Sequence, residues 1–182
     1  MEIYNSYLLI MEIITLIIIG IISRLVPHLP NMTPVGATAL FSSAKFGMKK
    51  GMIILFTTML ITDIVIGLHP VMWATYGSFM ITLCIGWWVQ RKYSLSRFMK
   101  GTFISSIVFF AITNFAVWLV PGGMYAKTLT GLIHCYVTAL PFFRNSLIGD
   151  FFYGFIFYYG YEVVKYWNKQ RHKILSVNNI HI

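Results

Sequence analysis

The sequence predicts an all-α integral membrane protein with six transmembrane helices and a short re-entrant or interfacial helix before the last span. Three observations carry this. The 182 residues are 58% hydrophobic, 17% aromatic and 10% charged, with a mean hydropathy of +0.73, where a soluble domain carries about 25% charged residues. The apolar residues come in runs close to the ~20 that one bilayer crossing needs. The basic residues stand between those runs, where topology signals stand. A net charge of +9 would suggest nucleic acid in a soluble protein, but basic residues placed this way serve topology, and no nucleic-acid partner is expected. Six crossings use up the chain, so residues 1–182 read as one transmembrane domain embedded in the lipid bilayer.

The first span, about 7–25, is mostly Ile and Leu and closes at Arg24. No basic stretch or small-residue cleavage site accompanies it, so it reads as a retained helix. The connector Val26-Pro27-His28-Leu29-Pro30-Asn31 leads to a short second helix, about 34–47. That helix is rich in Gly36, Ala37, Ala39, Ser42, Ser43 and Ala44, the small residues that let helices approach in a bilayer. Lys49-Lys50-Gly51 precedes a third span, about 52–68, and His69-Pro70 a fourth, about 71–89. A basic loop, Arg91 to Lys100, precedes a fifth span, about 102–120, which Pro121-Gly122-Gly123 ends. Residues 127–140 are apolar at helical spacing but too short to cross, which makes them the re-entrant or interfacial segment. The sixth span is about 145–167, followed by a basic tail.

Charge orients the bundle. With both termini cytoplasmic, the inner side holds eleven basic residues: Lys45, Lys49, Lys50, Arg91, Lys92, Arg97, Lys100, Lys165, Lys169, Arg171 and Lys173. The outer side holds Arg24, Lys127 and Arg144. That bias is the positive-inside pattern, and it places the protein in the cytoplasmic (inner) membrane.

The costly polar residues then collect at the outer side. They are Arg24, with His28 and Asn31 beyond it; Asp63 and His69; Trp73 and Tyr76, three apart and so on one helix face; Asn114 and Trp118; Tyr125, His134 and Tyr136; and Arg144, Asn145 and Asp150. Glu12 is the exception, near the inner end of the first span. A charge inside an apolar span costs several kcal/mol unless paired or wetted. Several of these residues have plain structural readings. Trp73, Tyr76, Trp118 and Tyr136 suit an interfacial aromatic belt, and Arg24 and Arg144 could snorkel. Asp63 and Asp150 could form helix-registering ion pairs with Arg24 and Arg144. Together the residues describe an outward, aromatic-lined pocket for a small solute, with Arg and His at its mouth favouring an acidic or carbonyl-bearing ligand. The candidate substrate-binding residues are therefore Arg24, Asn31, Asp63, His69, Trp73, Tyr76, Asn114, Trp118, Tyr125, His134, Arg144, Asn145 and Asp150. Neither the histidines nor Cys84 and Cys135 have metal-ligand spacing, and no metal or cofactor is expected.

The strings Leu29-Pro30-Asn31-Met32-Thr33-Pro34-Val35-Gly36-Ala37, Thr62-Asp63-Ile64-Val65-Ile66-Gly67-Leu68-His69, Tyr76-Gly77-Ser78-Phe79, Thr113-Asn114-Phe115-Ala116-Val117-Trp118-Leu119 and Leu140-Pro141-Phe142-Phe143-Arg144-Asn145-Ser146-Leu147-Ile148-Gly149-Asp150 resemble an uncharacterised bacterial membrane family. That family is described as similar to the substrate-specific S components of energy-coupling factor (ECF) transporters. The resemblance covers about residues 20–165. It implies an S-component-like six-helix fold that captures a vitamin-like or cofactor-precursor solute outside. It also implies partners, a transmembrane coupling subunit and cytosolic ATPases, that drive release inside. The first helix departs from the S-component pattern: it is Ile-rich, with Gly20 and Ser23 as its small residues, where many S components carry alanines four apart. A solitary transporter therefore stays open.

Uptake is the leading function, and no enzyme activity is expected. No P-loop pattern is present, so ATP hydrolysis would belong to a partner. The alternatives are an intramembrane enzyme using Asp63 and Asp150 as acid and base, and a scaffold whose buried ion pairs are purely structural.

Overall fold

The computed structural model describes the backbone of residues 2–27 and 29–178 and the side chains of residues 7–27, 29–168 and 170. These residues form six α-helices and no strand: α1 (Glu2–Leu25), α2 (Val35–Phe46), α3 (Met48–Ile66), α4 (Met72–Gln90), α5 (Leu95–Leu119) and α6 (Leu129–Asn178). The chain is thus all-α. Among the described residues, two helices, Tyr7–Leu25 and Leu95–Leu119, are by length and composition apolar enough to cross a membrane. In α3 and α6 the apolar character is diluted by Lys49, Lys50 and Asp63 and by the charged second half of α6. His28 lies outside the described residues, as do the side chains of Arg171 and Lys173.

One expectation is corrected. Residues 127–140 are not a separate re-entrant or interfacial helix, and no break precedes 145. Both segments belong to α6, a single helix of 50 residues with Pro141 inside it. Proline removes one N–H, the one that would bond the carbonyl four residues back, while stopping the helix would expose several backbone groups at both new ends. Where apolar side chains flank the proline on both sides, losing one bond costs less than ending the helix.

α2 is the hub. It is only 12 residues long, about 18 Å at 1.5 Å per residue, yet most of its side chains are buried. It packs on α3, α4, α5 and α6. Small residues make this close packing feasible. A Cβ at Gly86 of α4 would stand 2.5 Å from the Leu40 carbonyl oxygen and 2.8 Å from Ser43 Cβ, and Ser43 Oγ donates to the Leu83 carbonyl at 2.6 Å. Gly47, at φ 86°, turns the chain between α2 and α3 with no further residue. That φ is strained for any side chain but open to glycine. Gly20 of α1 packs on Thr58 of α3, where a Cβ would come 2.7 Å from Cγ2.

The two ends of the bundle differ. At one end, Phe41 meets Phe46, Phe98, Phe157 and Tyr161. Lys45 Nζ lies 3.4 Å and 3.9 Å from the ring centres of Tyr93 and Tyr161 and 3.3 Å from Glu162 Oε1. Burial pushes the Tyr93 phenol, in the α4–α5 connector, well above its usual range. These contacts make an aromatic plug around Lys45. The opposite end, where Arg24 lies, contains a cavity.

Candidate functional site

The cavity follows from the helical period. On α5 the residues Ser106, Phe109, Phe110, Thr113, Asn114 and Val117 share one face at spacings of three and four, and on α6 so do Ala139, Phe142, Phe143, Ser146 and Asp150. These two faces, with Met59, Ile66, Thr75 and Phe79 of α3 and α4, enclose about 580 Å³. Arg24, Asn31, Thr33, Val35 and His69 complete the wall. A recess of about 80 Å³ adjoins it, bounded by Asn31, Thr33, Gly36, Phe79, Thr82, Ser105, Phe109, Ser146 and Asp150.

Of the residues expected at a site, Arg24, Asn31, His69, Asn114 and Asp150 line this cavity. Asn31 stands at φ 62°, a left-handed conformation that asparagine tolerates better than most residues. It turns the connector toward α2. Asn114 Nδ2 donates to the Phe110 carbonyl one turn back at 2.8 Å.

Asp63 and Tyr76 lie behind the wall. Arg24 Nη2 donates to Asp63 Oδ1 at 2.8 Å, and Tyr76 OH donates to Asp63 Oδ2 at 2.8 Å. Arg24 Nη1 points at the Met59 sulfur. The carboxylate is 3% exposed and the guanidinium side chain 16%, so this is a buried, fully engaged pair that ties α1 to α3 and α4. The Arg24–Asp63 ion pair, the structural alternative to solute binding by Asp63, is present.

The expected pairing of Asp150 with Arg144 is not. Arg144 is exposed on α6, and Asp150 turns instead to the N-terminus of α2. Ser106 Oγ donates to Asp150 Oδ2 at 2.8 Å, and the Ala37 backbone N–H also serves the carboxylate. A Cβ on Gly36 would sit 2.5 Å from Asp150 Oδ1, so only glycine admits the carboxylate here. The first N–H groups of a helix lack intrahelical partners and carry partial positive charge, which explains why a carboxylate settles there without a cationic side chain.

The remaining expected residues are elsewhere. Trp73 is exposed at 63%. Trp118 Nε1 donates to the Ala126 carbonyl at 2.9 Å, while Lys127 Nζ caps the carbonyls of Trp118 and Val120 at the end of α5. Tyr125 bonds Thr138 at 2.7 Å and meets the exposed His134 edge-on. These side chains build the α5–α6 corner. Asn145 Nδ2 donates to the Pro30 carbonyl at 3.2 Å, fastening the α1–α2 connector to α6. None of them lines the cavity.

The lining residues absent from the expected set include Thr33, Thr75, Thr82, Ser105, Ser106, Thr113 and Ser146 and the phenylalanines at 79, 109, 110, 142 and 143. For those on α5 and α6 the signal was the face periodicity of the two helices, which places Ser and Thr in line with Phe. Weighing charge alone passes over such residues. Chemically, the lining offers aromatic faces, several hydroxyls and amides, and one carboxylate whose partners are a backbone end and a serine.

The chain belongs to a family of unknown function, DUF6580, which matches residues 5–173. No curated protein and no solved structure matches it.

Proposed function

We propose that this DUF6580 member is a membrane uptake component that takes a small vitamin-like or cofactor-precursor solute into the cavity at the Arg24 end and passes it inward. The observation that carries this reading is the 580 Å³ cavity itself, with five phenylalanines and several aliphatic side chains in its wall, a few convergent polar groups and a volume inside the ~300–1,000 Å³ typical of small-molecule sites. The aromatic plug beneath it suits a pocket open to one side of a membrane and shut to the other.

In this reading the chain crosses the cytoplasmic membrane six times, with the start of α1 and the end of α6 on the cytoplasmic side. α2, too short to cross alone, sits at the bundle centre, and the connector residues 29–34 complete its passage. The fold and role are those of an ECF S component. A transmembrane coupling subunit and cytosolic ATPases would be its partners, since the chain has no phosphate-binding loop of its own. Gly20, a small residue that such a contact would use, faces α3. Docking would therefore run over the exposed Ile14, Ile18 and Ile22 of α1, and the solitary transporter is the variant that needs no such contact.

The intramembrane enzyme is less well supported, because Asp63 is consumed by Arg24 and Tyr76 and only Asp150 reaches the cavity. The scaffold reading takes its support from the Arg24–Asp63 pair but leaves the cavity without a role. Native mass spectrometry of the detergent-purified protein tests the proposal. A co-purifying molecule of vitamin size, lost when Ser146→Trp fills the cavity, is expected. An empty protein that also fails to be stabilised by any member of a vitamin and cofactor-precursor panel would count against uptake.

A further inference from the structure

The cavity wall has an unexpected charge balance. The sequence pattern favours an acidic ligand, drawn by Arg24 and His69. In the structure the Arg24 guanidinium is taken up by Asp63 at 2.8 Å and faces the cavity already neutralised. Among the described residues, Asp150 is the one formally charged group on the wall with no oppositely charged side chain. The α2 N-terminus offsets about half a charge, and a carboxylate has some four lone-pair positions, of which Ser106 and Ala37 account for two.

A second observation points the same way. Ser105, 6% exposed, lines the small recess beside Asp150, and its hydroxyl has no hydrogen-bond partner in the protein. A buried hydroxyl without a partner costs free energy, and a donor seated in the recess removes that cost. The rings of Phe79 and Phe109, 4.8 Å apart between centres, border both the recess and the main cavity. Carboxylate, orphan hydroxyl and aromatic faces together make a cradle for a cation. At about 80 Å³ the recess suits an ammonium or amidinium head, with the bulk of the solute left in the larger chamber.

We propose that the solute carries a protonated nitrogen, which seats in the recess between Asp150 and Ser105 while its ring system occupies the phenylalanine-lined cavity. This rests on the uptake reading of the cavity and adds the chemical class of what it takes.

The test is calorimetric titration of the full chain in detergent with tryptamine, tryptophol and indole-3-acetate, referenced to empty micelles. The three share a ring and differ in carrying a cation, a neutral hydroxyl or an anion. Tryptamine is expected to bind at least about tenfold more tightly than the others, the ratio that ~1.4 kcal/mol gives. Asp150→Asn should erase the ranking. Because that variant also disturbs the α2 N-terminus, Ser105→Ala is the second arm. It removes a buried hydroxyl that bonds nothing in the protein, so it should hold or slightly raise thermal stability while weakening tryptamine severalfold and tryptophol little. Indole-3-acetate binding best, or three equal affinities, would overturn the cation assignment and leave the cavity as a solute site. No binding by any of the three, with no co-purifying molecule in the mass spectrum, would remove both.

Discussion

Arg24 and Asp63, 39 residues apart in the chain, meet at 2.8 Å, and the contact shows what a buried charge requires. Either residue alone would be a desolvated charge in an apolar bundle. Removing one partner strands the other, so Arg24→Ala or Asp63→Ala is expected to lower stability by about 3 kcal/mol, read as a fall in the thermal midpoint in detergent. Replacing both, as Arg24→Met with Asp63→Leu, should recover most of that loss, since an apolar pair of similar volume does not strand a charge. If the double variant is as unstable as the singles, the pair is not what holds this corner. This pair was legible in the sequence as one of the two roles open to Asp63, the other being solute binding. The partner of Asp150 was not. A helix N-terminus is made of backbone and has no side-chain signature, and Gly36, which admits the carboxylate, reads in sequence only as one more small residue.

At the scale of the element, α2 and α4 show how small residues set a distance rather than a composition. Gly86 and Gly77 lie on the same helix, but a Cβ at 86 would collide with the α2 backbone while one at 77 meets nothing within 4 Å. Gly86→Ala is therefore expected to destabilise by roughly 2 kcal/mol through overpacking. Gly77→Ala should stabilise by up to ~1 kcal/mol through helix propensity. Thermal unfolding of the two variants side by side checks this, and equal effects would mean that α2 and α4 are not in this close contact. Helix existence and most boundaries were readable from apolar runs and turn residues. The exceptions are the start of α5, which comes at Leu95 inside the stretch that reads as a basic loop because Ser94 caps it, and α6. Its two halves read as separate because Pro141 is a strong local stop signal, yet the surroundings make one missing hydrogen bond cheaper than two new helix ends.

For the whole molecule, the arrangement that matters is the contrast between an aromatic plug around Lys45 at one end and a cavity under Arg24 at the other. The six-crossing proposal turns that contrast into sidedness. In a background with Cys84 and Cys135 replaced by serine, Gly122→Cys should react with a membrane-impermeant maleimide on intact cells. Lys92→Cys should react only after permeabilisation. Labelling of both from the same side would overturn the six-crossing topology while leaving the helical bundle intact.

By itself, the sequence determined the helical class, the apolar character, the gathering of polar residues toward one end, and that Asp63 needed either a partner or a solute. All of these follow from local periodicity or from a cost that a single residue carries wherever it sits. The tertiary structure alone decided which polar residues share a cavity, that Trp118, Tyr125 and His134 build a corner instead, and that Asp150 rather than Arg24 is the charge left facing the open space. Those outcomes depend on which group stands opposite which across the bundle. Neutralisation acts through space, and spacing along a chain does not report it.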